Sequence, residues 1–570
     1  MTMQKTIIAE FLAVSEKFPK NEALGVRYDS NYRAYSYDDL AKAVHSFGSF
    51  LIDQGVAVDD HCAVLLENGS DWVVADLAIA YAGAVSVPIH TTYNEHYVKH
   101  VLEHSDARYL FVSDVLLKKI EKQIDERKKI RKVFVVGGKP ASDRSGFVSC
   151  GDLISYTREG IPHEFRQRSE DDVHTIVYTS GTTGVPKGAM LTNQNILSNV
   201  FGARELIVIY PNDRFFSFLP LSHILERTAG YYVPLLTGAA IYYARNSKTL
   251  SEDMKVARST IIVSIPRVFE KAHEKIMGRF SQPLAKILFH RAMRRASHEF
   301  TGAHSVAFGF YDALLFKKIR GAFGGALRLA ISGGASLPRH IAEFFKAIGI
   351  LVVEGYGLTE TSPILTMNTI ERHKFGSVGI PLKCVEIKVS NTGEILARGD
   401  GLMKGYYKAP DMTKEHIDEN GWFHTGDMGS IDGEGFLTIE GRLKEMIVLS
   451  TGRNVFPVPI EQELEESPYI EQAMVYGDNQ KAIAGLIVPS FNKLHTWCEA
   501  NGIPYHLPDV LKDNRIVNFY RAEIDKCLAR LQHFEQLREF QLIPKEFTQD
   551  DDFLSPTLKL KRGRILKAYK

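Results

Sequence analysis

The stretch that most constrains this chain is Thr175–Leu191, TIVYTSGTTGVPKGAML. Thr175, Ile176, Val177 and Tyr178 read as a buried strand. They lead into Thr179-Ser180-Gly181-Thr182-Thr183-Gly184, closed by Val185-Pro186-Lys187-Gly188. Glycines let backbone approach a phosphate closely, hydroxyls and N–H groups donate to its oxygens, and Lys187 adds a point charge. The pattern is a device for holding a polyphosphate. It is not the P-loop of strand-to-helix nucleotidases. Gly181 and Lys187 have that spacing, but Pro186 stands at the second glycine and Gly188 at the Mg²⁺-holding Ser/Thr.

A chain of 570 residues is too long for one domain. A net charge of +1 argues against a nucleic-acid binder. Five scattered cysteines with no C-x-x-C pattern read as reduced thiols of a cytoplasmic protein. The first residues lack a signal-peptide core, since Glu10 interrupts them. Val73–Ile89 is the most apolar segment, but Asp76 and Pro88 make it a buried helix running into a strand rather than a membrane span. The Asn68-Gly69-Ser70 sequon carries no weight without secretion.

Up to about Glu170 helical and strand patterns alternate, as in an α/β layer. His96, His100 and His104 share one helical face; with no thiolate partner, a solvated face is expected rather than a metal site. Lys118–Lys132 holds eight basic and three acidic residues, with an apolar stripe of Leu117, Ile120 and Ile124. A charged surface helix is expected, with an electrostatic membrane contact as the sharper alternative.

Beyond the strand, S-G-T-T-G-x-P-K-G resembles the phosphate loop of the adenylate-forming superfamily, which includes acyl-CoA synthetases, peptide-synthetase adenylation domains and luciferases. Further motifs resemble that family in its order. Phe218-Leu219-Pro220-Leu221-Ser222-His223 follows an apolar strand, and the resemblance puts His223 beside the reacting carboxylate. Ser332-Gly333-Gly334-Ala335-Ser336-Leu337-Pro338 and Glu354-Gly355-Tyr356-Gly357-Leu358-Thr359-Glu360-Thr361 each follow a strand. Glycines there can lie flat against a ligand, and a tyrosine between glycines offers an exposed ring for stacking. A carboxylate beside a triphosphate suits Mg²⁺. The resemblance assigns Tyr356 to adenine and Glu360 to the metal, with Gly333, Gly334, Ala335, Glu354, Gly355, Gly357 and Thr359 around the nucleotide.

Asp427 in His424-Thr425-Gly426-Asp427 and Arg442 in Gly441-Arg442-Leu443-Lys444 are, by resemblance, the ribose contacts, and Lys444 the interdomain hinge. Gly452, Arg453 and Asn454 belong to a loop that the family swings beside the CoA thiol. In the tail, Pro556-Thr557-Leu558-Lys559-Leu560-Lys561-Arg562 has Leu558 where most of the superfamily has glycine. The P-T-x-K-x-K-R form resembles the long-chain fatty-acyl-CoA synthetases and places the catalytic lysine at Lys559, with Lys561 as the fallback register. Arg258–Ile276 resembles the same subgroup, with Ser259 and Ile265 departing from its usual Pro and Val.

The resemblance implies an α/β fold: a large multi-layer N-terminal adenylate-forming domain, residues 1–442, and a smaller mobile α+β domain, residues 443–570. It implies an ATP-dependent long-chain fatty acid:CoA ligase using ATP, Mg²⁺ and CoA, with Lys559, His223 and Thr179 in the chemistry. The expected partners are a fatty acid, ATP and CoA, with no nucleic acid; the expected location is the cytoplasm, with peripheral contact at the inner face of a membrane. The rivals are an acyl-AMP ligase serving a carrier protein and a CoA ligase for shorter or aryl acids. Oligomeric state is left open.

Overall fold

The computed structural model describes residues 5–125, 129–138, 145–158, 160, 162–180, 186–246, 248–280, 283–298, 311–548, 550–554 and 560–569. The chain divides into two compact units. The first comprises Met1–Lys388, Leu396–His424 and Ile431–Thr438; the second Val389–Ile395, Thr425–Ser430 and Ile439–Lys570.

The first unit is built on two large sheets with helices packed against them. One has eight strands in the order Gly405–Tyr406, Pro186–Thr192, Val173–Ser180, Val85–Pro88, His61–Leu65, Tyr109–Ser113, Lys132–Val136 and Phe147–Gly151. Its six strands from Val173–Ser180 to Phe147–Gly151 run parallel. The other has nine, in the order Ile380–Pro381, Ile364–Met367, Leu351–Gly357, Leu329–Ser332, Ile261–Ser264, Arg214–Ser217, Ala240–Tyr243, Glu22–Tyr28 and Asn31–Ser36. Strands buried on both faces read as unbroken apolar runs, as Ala240–Tyr243 and Ile261–Ser264 do.

The segment around Asp76 is the expected buried helix, Ser70–Tyr81, feeding the strand Val85–Pro88. Asp76 is fully buried and ion-paired with the equally buried Arg227. Arg227 also donates to Thr175 Oγ1 at 2.7 Å and to the Tyr232 hydroxyl at 3.0 Å, and its guanidinium lies 5.3 Å from the Trp72 ring. Tyr232 in turn donates to Asp76 at 2.8 Å. A buried charge is tolerated when its whole hydrogen-bonding capacity is used, and removing one partner costs about 3–5 kcal/mol. The network joins the strand leading to the phosphate loop to the helix following His223. Among the described residues, no helix is long and apolar enough to cross a membrane.

Two expectations are corrected here. His100 and His104 are half-buried, not a solvated face: His100 Nε2 donates to the Pro186 carbonyl at 3.0 Å, and His104 Nδ1 lies 2.8 Å from the Tyr178 hydroxyl. Their helix, Glu95–His104, packs on the hairpin that carries the phosphate loop, so the rings face protein. The strand expected to end before Glu354 runs through Leu351–Gly357, because the antiparallel Ile364–Met367 pairs with Gly355, Tyr356 and Gly357. The basic stretch is helical only in its first half: helix Asp114–Asp125 buries Leu117, Ile120 and Ile124 in the core as expected, residues 126–128 lie outside the described residues, and Lys132 begins the strand Lys132–Val136.

The second unit is α+β. A three-stranded sheet, Ile470–Tyr476, Ala484–Pro489 and Glu539–Leu542, packs with helices Pro457–Glu465 and Asn514–Cys527 around Ile460, Leu464, Val475, Ile487 and Tyr520. The helix Asn514–Cys527 begins at an Asp513 cap that accepts from the Arg515 N–H at 2.8 Å. A small hairpin, Ile447–Val448 with Asn454–Val455, presents residues 450–453. All five cysteines are free.

Candidate active site

Val173–Ser180 and Pro186–Thr192 form an antiparallel hairpin, with Thr179 paired to Lys187 and Ser180 to Pro186. The phosphate motif therefore sits at a hairpin tip, and Gly181, Thr182, Thr183 and Gly184 lie outside the described residues. The next helix, Asn193–Leu206, starts at a capping box in which the Thr192 and Asn195 side chains each bond the other's backbone N–H.

That helix positions the proposed metal residue. Asn199 Nδ2 donates to the carbonyls of Thr361 (3.2 Å) and Ile364 (2.7 Å), and its Oδ1 accepts from the Ile364 N–H at 3.0 Å. Thr228 Oγ1 donates to the Ser362 carbonyl at 3.0 Å from the helix after His223. The turn Thr359–Thr361 is thus gripped from two sides. Glu360 Oε1 accepts from the Tyr406 hydroxyl at 2.7 Å, and Lys187 Nζ lies 5.5 Å from the Tyr406 ring centroid. Tyr406 joins the lysine of the phosphate motif to the carboxylate of the metal motif. Burial first, and then the Glu360 carboxylate, push its hydroxyl well above the usual phenol range, so it stays a donor. Nothing in the Gly405-Tyr406-Tyr407 stretch marked it in the sequence; only its pairing with the phosphate hairpin reveals it.

The glycine motifs meet as expected. A Cβ on Gly333 would stand 3.2 Å from Leu225 and 3.7 Å from the Gly355 carbonyl, and one on Gly357 only 1.6 Å from the Pro363 carbonyl. A side chain is excluded at Gly357, and one at Gly333 would need Leu225 to give by a few tenths of an ångström. Glu354 accepts from the Leu337 N–H at 3.2 Å, tying the two motifs together, and burial raises its carboxyl to about 7. Gly334 and Ala335 are exposed, whereas the Tyr356 ring is half-buried on the core rather than fully exposed. The strand's extension through Gly357 accounts for that difference.

The loop Leu219–His223 is held by residues from two other strand ends. Asn68 Nδ2 donates to the Leu219 carbonyl at 2.5 Å, and its Oδ1 accepts from the Leu221 N–H at 3.0 Å. The Ser222 hydroxyl and His90 Nδ1 share a hydrogen bond of 2.8 Å. His223 Nδ1 accepts from the Leu225 N–H at 3.3 Å, which leaves Nε2 to carry the proton of the neutral ring. The apolar strand before this loop is Arg214–Ser217.

In the second unit, Arg442 Nε pairs with Asp427 Oδ1 at 3.2 Å, so the two ribose candidates contact each other. Asp427 is buried and Arg442 half-exposed. Lys444 is exposed in the short turn Leu443–Glu445, and Gly452, Arg453 and Asn454 are exposed on the small hairpin. Lys559 lies outside the described residues. Lys561 is ion-paired with Asp552. Arg562 clasps Glu461 through two bonds of 2.5 and 2.6 Å, fixing the end of the lysine motif to the helix Pro457–Glu465.

The chain resembles known proteins over its whole length. Residues 11–407 match the AMP-binding enzyme family, and residues 444–546 the AMP-binding enzyme C-terminal domain. The long-chain-fatty-acid–CoA ligase FadD15 of Mycobacterium bovis is 31% identical, over 93% of this chain and 90% of the relative. The peroxisomal long chain acyl-CoA synthetase 7 of Arabidopsis thaliana is 31% identical, over 99% of this chain and 85% of the relative. The fold resembles the anthranilate CoA ligase AuaEII with anthranoyl-AMP (TM-score 0.78, 19% identity, covering 100% and 98% of the two chains). It also resembles ATP-bound MatB of Rhodopseudomonas palustris (TM-score 0.74, 21% identity, covering 100% and 99%). Hairpin, glycine motifs and both family domains lead to one conclusion: this chain is a member of the AMP-binding enzyme family.

Proposed function

We propose that the protein is an ATP-dependent long-chain fatty acid:CoA ligase working through an acyl-adenylate. The observation that carries this reading is the tie through Tyr406, which places the phosphate-motif lysine and Glu360 around one ring. A carboxylate is a poor electrophile, so its oxygen first attacks the α-phosphate of ATP and pyrophosphate leaves. The CoA thiol then displaces AMP to form the thioester. Negative charge gathers at phosphorus in the first step, where fixed cations and N–H donors stabilise it most.

Thr179, Lys187 and the loop of residues 180–184 hold the phosphates. Tyr356 packs on adenine beside Gly333, Gly334, Ala335, Glu354, Gly355, Gly357 and Thr359, and Asp427 with Arg442 receives the ribose. His223 presents Nε2–H to the acyl carboxylate. Lys559 is the catalytic cation; the engagement of Lys561 with Asp552 supports that register. A single anchored carboxylate fits Mg²⁺, which takes most of its remaining ligands from phosphate and water. Glu360 would hold the ion, whose charge would neutralise the phosphate oxygens. Residues 1–442 and 443–570 are the working halves, with Lys444 as hinge and Gly452, Arg453 and Asn454 beside the thiol. We place the enzyme in the cytoplasm, with peripheral contact at the inner face of a membrane supported by the exposed Lys118, Lys119 and Lys122.

The test is pyrophosphate release and thioester formation over saturated acids of graded length. An apolar tunnel gains up to about 0.8 kcal/mol per methylene, nearly fourfold per carbon. kcat/KM should climb with length and then level. A maximum at two to four carbons, or a preference for an aromatic acid, overturns the substrate class. Adenylate without CoA thioester favours the carrier-protein ligase.

A further inference from the structure

We propose that His90 is a positioning residue for acid activation: its bond to Ser222 holds the loop in which His223 addresses the acyl carboxylate. The inference rests on the reading of His223 given above.

His90 follows the parallel strand Val85–Pro88, more than a hundred residues from the loop it supports. It is 9% exposed, and Ser222 is 6% exposed. Their 2.8 Å bond links two groups that water barely reaches, so it faces little competition from solvent. The two histidine rings stand 6.1 Å apart, and Tyr93 closes on His90 edge-on at 4.9 Å. His90 therefore touches Ser222 directly and His223 only through the loop.

Burial, reinforced by His223, holds His90 down at about 3, so it is neutral across the working pH range. A neutral ring beside His223 places no like charge there, and it offers Ser222 one nitrogen whichever partner supplies the proton. Asn68 fixes the start of the loop and the His90–Ser222 bond its end. Beyond these anchors the His223 N–H donates to the Pro220 carbonyl at 2.9 Å, and the Arg227 N–H to the His223 carbonyl at 3.0 Å. With backbone tied on both sides, the direction of the His223 ring depends on whether Ser222 stays in place.

The experiment compares His90→Phe, His90→Asn, Ser222→Ala and the double variant His90→Phe/Ser222→Ala, using hexadecanoate and MgATP with pyrophosphate release as readout. His90→Phe should lower kcat/KM for the acid about tenfold and leave KM for MgATP within twofold. Ser222→Ala should match it, and the double variant should lose no more than either single change. His90→Asn keeps a polar atom at the Nδ1 position and should recover to within about threefold of wild type. The inference is overturned if His90→Phe leaves acid kcat/KM within twofold, if acid and nucleotide suffer alike, if the two losses multiply, or if Asn does not rescue. Should His90→Phe fail to fold, Asn and Ser222→Ala alone decide: both within threefold of wild type overturns it, as does equal loss in both, and Ala-only loss supports it. His223→Ala separates the premises. If that variant loses acid kcat/KM and His90→Phe does not, only the positioning role falls; if neither does, the role of His223 falls as well.

Discussion

Tyr406 donates its hydroxyl to Glu360 Oε1 at 2.7 Å while its ring lies 5.5 Å from Lys187 Nζ, so one side chain sets both the carboxylate and the cation. Glu360→Gln should remove most Mg²⁺-dependent adenylation with little loss of fold, since the amide keeps the shape and drops the charge. Tyr406→Phe keeps the charge and frees the carboxylate, so it should raise the Mg²⁺ concentration needed for half-maximal rate by several-fold. Metal titrations of pyrophosphate release check both. Unchanged metal dependence in Glu360→Gln would remove that residue from the metal site.

Lys559→Ala should abolish adenylate formation and spare thioester formation from supplied acyl-adenylate. Losing a charge-assisted contact in a closed site costs on the order of 2–4 kcal/mol, about 10²–10³ in rate. Lys561→Ala removes only a partly exposed pair with Asp552 and should cost less than tenfold. The reverse ranking would shift the catalytic register by two residues.

Lys444→Pro should divide the half-reactions in the opposite sense. Proline fixes φ in a turn that the proposed hinge must rearrange. Adenylation is expected to survive and CoA transfer to fail. Loss of both steps together with a lowered Tm would instead mean damage to the fold.

Glu226 makes stability depend on pH. It is fully buried, and desolvation, only partly offset by the nearby Ser217 hydroxyl, raises its pKa to about 8. Between the ordinary carboxyl range and pH 8 the native chain keeps this proton and the unfolded chain has lost it. Rising pH therefore favours unfolding across that window, by up to about 1.4 kcal/mol per pH unit. Glu354 contributes with the same sign up to about pH 7. In Glu226→Gln the fall of Tm between pH 5 and 8 should be shallower than in wild type. Parallel curves for the two proteins would show that Glu226 does not titrate there.

The motifs were legible because each is local: a strand, a few glycines and one charged group within about ten residues. Their support was not. Asn68 looked like an idle sequon, yet it clamps the loop that ends in His223. Nothing in the sequence marked His90, and nothing joined Asp76 to Arg227 across 151 positions. Periodicity describes the face a residue takes within its own element, and these partners meet only when different strand ends converge. The histidine helix failed for the same reason, since i, i+4 spacing does not reveal which neighbour covers the face. The Glu354–Gly357 strand was cut short because glycine signals a break, and only the close approach of Pro363 and the pairing strand keeps it extended.

The hairpin around the phosphate motif also governs how this enzyme meets its nucleotide in salt. A phosphate docked at the start of a helix is met by partial charges fixed in the backbone, which no counterion can displace. Here the motif is flanked by two antiparallel strands, Val173–Ser180 and Pro186–Thr192, whose peptide dipoles alternate and nearly cancel. On the reading proposed above, whole charges on Lys187 and on a metal ion then add to the N–H donors of the loop. Such charges are screened over about 8 Å at physiological ionic strength and compete with every other cation in solution. On that reading, nucleotide affinity should fall as ionic strength rises and should follow the supply of divalent cation.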